Sequence, residues 1–203
     1  YNYWNREYHS PNVESFIFRL KPYLLDKYVN KKKLNILDFG CGEGANIKYF
    51  EKVHGYTAHG VDISEISIKN AKKRYPKKNK FKIIKNKYEK GENLFNKKFD
   101  LIISVQTLYF LSEEDLNIRL KAFNKILKKN GMVFFTMIST QNSYFKSFSN
   151  KKTDKNGMTL VNVSKDKIYS NRQKVDNHAH YINFTKSEKH LVKRFNIFKK
   201  LAI

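Results

Sequence analysis

The chain has 203 residues, enough for one α/β domain with a full core, and no feature of the sequence predicts a second domain. Its 41 basic and 18 acidic residues give a formal net charge of +23, which favours an anionic partner. No stretch approaches the roughly 18 apolar residues of a membrane helix, and no signal-like segment opens the chain. The only cysteine, Cys41, has no intrachain disulfide partner, which agrees with a reducing compartment. We therefore expect a cytoplasmic protein, and the apolar pattern predicts no membrane segment.

Aromatic residues crowd the start of the chain. The first ten residues, Y-N-Y-W-N-R-E-Y-H-S, hold three Tyr and the only Trp, a composition that is not typical of a free tail. These rings either close a binding site or pad the outside of a sheet. Apolar residues at helical spacing then predict a helix over 13–29, which Pro22 bends or divides.

A buried strand running into a glycine-rich turn comes next. The apolar run over 34–37 ends in Asp38, and Gly40, Gly42 and Gly44 alternate along the turn that follows. Because glycine has no Cβ, the backbone of this turn can adopt positive φ and come into contact with a ligand. The turn therefore predicts a ligand-binding loop.

A helix and a second strand complete this unit. The helix begins at Ala45, and its N-terminus offers unpaired N–H groups to a polar ligand. The second strand, over 57–61, ends in Asp62. In a parallel sheet the ligand lies across the carboxyl ends of the strands, so Asp38 and Asp62 would face one crevice.

Two classes of ligand fit this pattern. Gly40, Gly42 and Ala45 satisfy the dinucleotide pattern G-x-G-x-x-G/A, with Asp62 as the acid that binds ribose. Asp38 distinguishes the two classes, since a fixed carboxylate sits badly beside a pyrophosphate. The same carboxylate suits a ligand that carries an ammonium group and a sulfonium centre.

The segment L-D-F-G-C-G-E-G, followed by G-V-D-I-S, resembles the cofactor-binding motifs of class I S-adenosylmethionine-dependent methyltransferases. The resemblance implies a Rossmann-like α/β fold with a mostly parallel central sheet and helices on both faces. It also implies that the turn at Gly40 and Gly42 lies under the methionine end of S-adenosyl-L-methionine and that Asp38 helps to orient it. Asp62 would hold the ribose hydroxyls, and Ile63 would pack on the adenine.

The elements after Asp62 continue the alternation of strand and helix. Ser64 is a predicted N-cap for a helix that stops before Pro76. Strands are predicted over 81–84 and 99–105, the second of them apolar on both faces. In the family that the chain resembles, a polar side chain after the third strand faces the adenine amine, and Asn86 is the candidate.

The stretch Q-T-L-Y-F-L-S resembles the fourth motif of that family, which lines the reaction cleft just past the strand. Val105, Gln106 and Tyr109 are therefore candidates for the wall around cofactor or acceptor. A place in the core is the alternative for Tyr109 and Phe110.

Two further helices and two strands are predicted towards the end of the chain. Ser112 and Asp115 form a capping box for a helix through Leu127 that closes near Gly131, and a fifth strand covers 132–138. Thr185 and Glu188 in T-K-S-E predict another capping box, and Asn196 to Ile203 predicts a sixth strand. The seventh strand of the resembled family has no residues left to form it, so we expect it to be missing or truncated.

The stretch from Ser139 to Asn183 shows no clear period, and loops of that length are usually functional or disordered. The resemblance implies one methyltransferase domain over 1–203: an N-terminal lid and helix (1–30), a cofactor-binding core (33–138), an acceptor-binding insertion (139–184) and a last helix and strand (185–203). It also suggests that Trp4 or Tyr8 closes over the acceptor.

The insertion contains a pair of candidate catalytic residues. His178 and His180 alternate, so both would face the same side of an extended segment, and either would suit a general base near neutral pH. A structural or surface role is the alternative for both. No third ligand with convincing spacing accompanies them, so no metal is expected.

The expected reaction is O-methylation of a small polar, anionic acceptor. The chain resembles enzymes that methylate sugars or phosphorylated precursors of bacterial surface polysaccharides, through its Q-T-L-Y-F-L stretch, aromatic leader and lysine-rich composition. An RNA methyltransferase is the alternative that the charge favours. However, only six of the basic residues are Arg, as an AT-rich coding sequence would give, and no proline-rich base-binding motif follows the fourth strand. A third alternative is an NAD-dependent or non-enzymatic cofactor-binding protein.

Overall fold

The computed structural model describes residues 13, 15–20, 33–75, 80–85, 87–89, 92, 94–142, 145, 153–162 and 179–198. These residues fall into two compact units. The first unit takes its residues from 1–107 and 125–136, and the second from 108–124 and 137–203. Each unit contains its own cluster of buried apolar side chains.

A five-stranded sheet forms the centre of the first unit. Its strands are β1 (Asn35–Phe39), β2 (Thr57–Asp62), β3 (Phe81–Ile83), β4 (Phe99–Ser104) and β5 (Leu127–Phe135). The spatial order is β3-β2-β1-β4-β5, and all four pairings are parallel. β4 is buried along its whole length, as expected for a central strand covered on both faces. The predicted α/β fold with a mostly parallel sheet is confirmed.

Helices α1 (Ala45–His54) and α2 (Glu65–Arg74) follow β1 and β2. Gly44 precedes α1 and Gly55 follows it, and both glycines have a left-handed backbone. Ser64 caps α2 by accepting a hydrogen bond of 3.1 Å from the Ser67 N–H, and the helix ends before Pro76, both as predicted. Residues 16–20 are also helical. The buried side chains of these helices pack with the strands in the core of the unit.

The boundary between the third helix and β5 differs from the prediction. Helix α3 (Glu113–Ile126) ends at Ile126, and β5 starts at the next residue instead of at Met132. Leu127 pairs with Phe99, and the register then shifts so that Met132 pairs with Leu101. Gly131 does not end the helix. The left-handed residue is Asn130, at φ 65°, and it lies inside the strand.

The second unit contains a hairpin that the sequence did not reveal. β6 (Thr159–Asn162) and β7 (Ala179–Ile182) pair antiparallel within the aperiodic stretch. Val161 and Ile182 from these strands bury against Phe184 and Tyr109. Tyr109 belongs to a 3₁₀ turn, Leu108–Phe110. Among the described residues, the hairpin therefore supplies two of the four buried side chains of this cluster.

Two predicted helix caps have different outcomes. The Ser112 hydroxyl accepts from the Asp115 N–H at 3.1 Å, so the predicted N-cap is confirmed, and it donates to the Asp115 carboxylate at 2.7 Å. The Thr185 box is wrong, because Ser187 caps α4 (Glu188–Arg194). Thr185 is still extended, and its N–H donates to the Ile138 carbonyl at 2.8 Å. The predicted sixth strand is also wrong at its start, since residues 195–198 form a turn, while 199–203 lie outside the described residues.

His59 is a buried histidine in the middle of β2. It is 3% exposed and lies against the rings of Phe95 and Phe99. Burial, reinforced by the charge of Lys97, lowers the pKa of His59 to about 4. The Lys97 Nζ lies 3.1 Å from the imidazole Nε2.

We expect His59 to make the protein sensitive to acid. The unfolded state binds a proton near pH 6.5, whereas the folded state binds it only near pH 4. The neutral ring therefore contributes about 3 kcal/mol to the free energy of unfolding above pH 6.5. This contribution is lost as the pH falls to about 4. Urea unfolding at pH 7 and pH 4.5 should show a loss about 2 kcal/mol larger for the unaltered protein than for His59→Gln. An equal loss in the two proteins would contradict this account.

Candidate functional site

The carboxyl ends of β1, β2 and β4 meet at one edge of the sheet. The Gly40 N–H donates to the Val61 carbonyl at 2.8 Å, which joins the end of β1 to the end of β2. The Ser104 hydroxyl donates to the Phe39 carbonyl at 3.1 Å, which joins β4 to β1. Ligands of open parallel sheets bind at such an edge. The residues just past these strands are therefore the candidate site.

The glycine turn between β1 and α1 has a left-handed backbone at each of its three glycines. A Cβ on Gly40 would lie 2.1 Å from the Thr107 Oγ1, and a Cβ on Gly44 would lie 2.8 Å from the Phe81 ring. A Cβ on Gly42, at φ +50°, would meet nothing within 4 Å. The turn is thus closely packed at two glycines and open at Gly42, which leaves the backbone there accessible to a ligand.

Asp62 connects the glycine turn to the start of α2. Its Oδ2 accepts from the Gly42 N–H at 2.8 Å, and its Oδ1 accepts from the Ser64 N–H at 2.9 Å. Burial raises the pKa of Asp62, and the N–H donors of Ser64, Gly42 and Ile63 oppose that rise. A carboxylate has about four acceptor positions, and those that these N–H groups leave open can accept from the hydroxyls of a ribose.

Asp38 lies at the end of β1 and is 1% exposed. The side-chain amide of Asn46, in the first turn of α1, donates to its Oδ2 at 3.3 Å. The helix thus fixes the carboxylate beside the glycine turn. Sequence reasoning missed Asn46, because a polar residue eight positions after the acid follows no local rule.

Cys41 is a packing residue of the turn. Burial raises its pKa well above the ordinary value, and the charges of Asp38 and Asp62 raise it further, so the thiol stays protonated. A Cβ on Gly60 would lie 2.6 Å from its sulfur, which shows how closely β2 packs against the turn. A protonated, buried thiol is a poor nucleophile, so packing is the role that these observations support.

Val105 and Gln106 follow β4 directly at the same edge of the sheet. Val105 is buried, while Gln106 is exposed and has φ +54°, an uncommon backbone for a residue with a side chain. The Gln106 N–H donates to the Thr136 hydroxyl at 2.8 Å, and the Thr107 hydroxyl donates to the Val105 carbonyl at 3.0 Å. Backbone strain of this kind concentrates at ligand sites.

Two of the residues predicted to contact the acceptor, Tyr109 and His180, belong to the second unit. Tyr109 is 7% exposed, packs in the apolar cluster of the second unit and has its ring centroid 4.5 Å from that of Phe110. A role in the acceptor wall stays a prediction for it. His180 lies in β7, where it pairs with Val161. Four other candidates lie outside the described residues: Trp4, Tyr8, Asn86 and His178.

Among the described residues, no group of three or more His, Cys, Asp and Glu side chains could hold a metal ion. No helix in the described part of the chain combines the length and the apolar character needed to cross a membrane.

A parallel sheet with a glycine turn, an acid at the end of β1 and an acid at the end of β2 defines the class I methyltransferase type of nucleotide-binding fold. Comparison with known families agrees, since residues 8–195 match the family described as "Methyltransferase domain". The chain therefore belongs to this family. The predicted membership of a methyltransferase family is confirmed.

Two relatives of the chain are named as methyltransferases. It is 36% identical over 118 residues to a ubiquinone biosynthesis O-methyltransferase of Pelagibacter ubique, a match that covers 58% of this chain and 46% of that protein. It is 28% identical over 131 residues to an uncharacterized methyltransferase of Bacillus cereus, covering 64% and 59% of the two chains. The chain thus spans about half the length of these two relatives.

One solved structure shows the same fold over most of the chain. It is the PH0226 protein from Pyrococcus horikoshii, with a TM-score of 0.63 and 20% sequence identity. The superposition covers 92% of this chain and 83% of that one. At this identity the likeness concerns the fold alone.

Proposed function

We propose that the protein transfers a methyl group from S-adenosyl-L-methionine to an oxygen of a small polar, anionic acceptor, leaving S-adenosyl-L-homocysteine. The observation that carries this proposal is the arrangement of two carboxylates, Asp38 and Asp62, around a turn that is open at Gly42. Negative charge at both strand ends favours a ligand with cationic groups over a diphosphate.

The residues present fit this cofactor. The open backbone at Gly42 would accept its methionine end, Asp38 would attract its ammonium group, and the remaining acceptor positions of Asp62 would take its ribose hydroxyls. Ile63 and Val105 would pack against the adenine. Asn86 and Gln106 are the proposed polar contacts of the cofactor.

When bound, the cofactor supplies a methyl group on a sulfonium centre, which a nucleophilic oxygen displaces in one step. The protein contributes to catalysis by holding the acceptor oxygen in line with the methyl group and by excluding water. His180, or His178, would take the proton from the acceptor hydroxyl, since histidine titrates near neutral pH. Trp4, Tyr8 and Tyr109 are the proposed acceptor contacts.

The proposed acceptor is a sugar or a phosphorylated precursor of a surface polysaccharide. A net charge of +23 favours an anionic compound. Oxygen is the proposed methylated atom, and the name of the Pelagibacter ubique relative, an O-methyltransferase, supports this choice. The acceptor-binding insertion (139–184) would set specificity, and the reaction would take place in the cytoplasm.

RNA is the second candidate acceptor, because the charge of the chain would also attract a polyanion. The sequence at the end of β4, Ser104 to Thr107, lacks the proline-rich motif that amine-methylating enzymes use to stack an extruded base. Incubation with methyl-labelled cofactor, a panel of sugars and sugar phosphates, and total tRNA and rRNA separates the two candidates. Label in a small acceptor supports the proposal, whereas label in RNA alone would overturn it.

Replacement of Asp62 by Ala should weaken the binding of S-adenosylhomocysteine by about 1.5–3 kcal/mol, because acceptors for the ribose and for the Gly42 N–H are both lost. Isothermal titration calorimetry measures this change. Asp154→Ala is a matched control, since the Asp154 carboxylate also accepts two backbone N–H groups, those of Asn156 and Met158. An unchanged affinity in the Asp62 variant would remove this residue from the ribose site.

A further inference from the structure

Glu43 is a buried carboxylate within the glycine turn that the proposed chemistry does not use. Its side chain is fully shielded from solvent, although it lies in a turn at the edge of the sheet. Carboxylates are rarely buried without partners, since the loss of hydration is costly. The partners of Glu43 come from α2, about 30 residues further along the chain.

Two side chains of α2 hold the Glu43 carboxylate. The Asn70 amide donates to Oε1 at 3.1 Å, and the Arg74 guanidinium lies 2.8 Å from Oε2. Arg74 is 38% exposed, so its charge is partly screened by solvent, while the carboxylate it contacts is not exposed. The attraction between the opposite charges of this ion pair opposes movement of the turn relative to the helix.

These contacts join the glycine turn, Asp62 and α2 in a continuous ring of interactions around the proposed ribose site. The Gly42 N–H donates to Asp62, Asp62 also accepts from the Ser64 N–H, and Ser64 caps α2. At the other end of α2, Arg74 contacts Glu43, which is the residue next to Gly42. A shift of Glu43 would therefore move the N–H that binds Asp62.

We propose that Glu43 and Arg74 are positioning residues for the cofactor, which act by fixing the glycine turn against α2 so that Gly42 and Asp62 keep their relative geometry. The inference rests on the proposed function, because it assumes that the ribose of S-adenosylmethionine binds at Asp62. The pair has no role in methyl transfer itself. Its effect is expected in cofactor affinity and in the mobility of the turn.

The test replaces the partly exposed member of the pair, because a change at the buried Glu43 risks unfolding the protein. Arg74→Gln should weaken binding of S-adenosylhomocysteine by about five- to tenfold in calorimetry. Arg74→Lys retains the charge and should restore the affinity to within about twofold of the unaltered protein. Glu89→Gln breaks the exposed Lys85–Glu89 pair and should leave the affinity unchanged.

Amide hydrogen exchange in the ligand-free protein provides a readout that does not depend on the cofactor. The N–H groups of residues 40–44 should exchange faster in Arg74→Gln, and those of β4 should not. Unchanged affinity together with unchanged exchange in the turn would overturn the proposal. If the unaltered protein fails to bind S-adenosylhomocysteine, the proposed function and the cofactor role of the pair both fall. Faster exchange in the turn would still show the mechanical link between Arg74 and the turn.

Discussion

Gly42→Ala should lower the affinity for S-adenosylhomocysteine on the order of a hundredfold, because the new methyl group occupies the space through which the ligand reaches the backbone. The cost to folding should be small. The added Cβ meets no protein atom within 4 Å, and the left-handed φ of +50° costs about 1–2 kcal/mol for an alanine. Calorimetry and urea unfolding measure the two effects separately.

Gly55→Ala is the matched control for this prediction. Gly55 also has a left-handed φ, of +66°, and open space around the added Cβ, but it lies at the C-terminal end of α1. Its replacement should lower the free energy of unfolding by a similar amount and leave the affinity unchanged. Equal affinities in the two variants would show that Gly42 does not contact the cofactor.

The second large effect is expected at Arg194, in the last turn of α4. This side chain is 8% exposed, and its guanidinium bonds the Glu113 carboxylate at 2.6 Å, the Asn183 side chain and the Phe184 carbonyl. Arg194→Met should destabilise the protein by about 2–3 kcal/mol, because these acceptors lose their donor. The estimate is below that for a fully buried pair, since Glu113 is 37% exposed.

Lys193→Met provides the control for the same helix. Lys193 precedes Arg194 in α4 and is exposed, so the same loss of charge should change stability by less than about 0.5 kcal/mol. Thermal and urea unfolding measure both variants. A loss of less than about 1 kcal/mol in Arg194→Met would mean that the buried guanidinium is not a major support of this unit.

The features that could be predicted from sequence depend on short-range rules. The glycines at 40, 42 and 44 require positive φ, and the structure places all three in the left-handed region. The caps at Ser64 and Ser112 depend on residues three positions away. Near-continuous apolar runs marked β1 and β4, because central parallel strands are buried on both faces.

The features that could not be predicted depend on contacts between distant residues. Glu43 and Arg194 are buried, and their partners lie 27 and 81 residues away in the sequence, where no local pattern indicates them. In T-K-S-E both hydroxyl residues could cap the helix. Pairing of Thr185 with Ser139 keeps the chain extended there and shifts the cap to Ser187. β5 likewise starts early because Leu127 pairs with Phe99.

The hairpin of the second unit illustrates the same limit. Val161 and Ile182 are buried, while Leu160 and Tyr181 between them are exposed, yet all four are apolar or aromatic. The sequence therefore shows no alternation of apolar and polar residues that would predict a strand. The burial pattern follows from pairing between segments that are about 20 residues apart.

The central claim is that Asp38 and Asp62 flank a site for a sulfonium cofactor and not for a dinucleotide. Calorimetric titration of the purified protein with S-adenosylhomocysteine and, separately, with NAD tests it most directly. The account predicts saturable binding of S-adenosylhomocysteine at one site per chain and no detectable binding of NAD. Binding of NAD alone would contradict it.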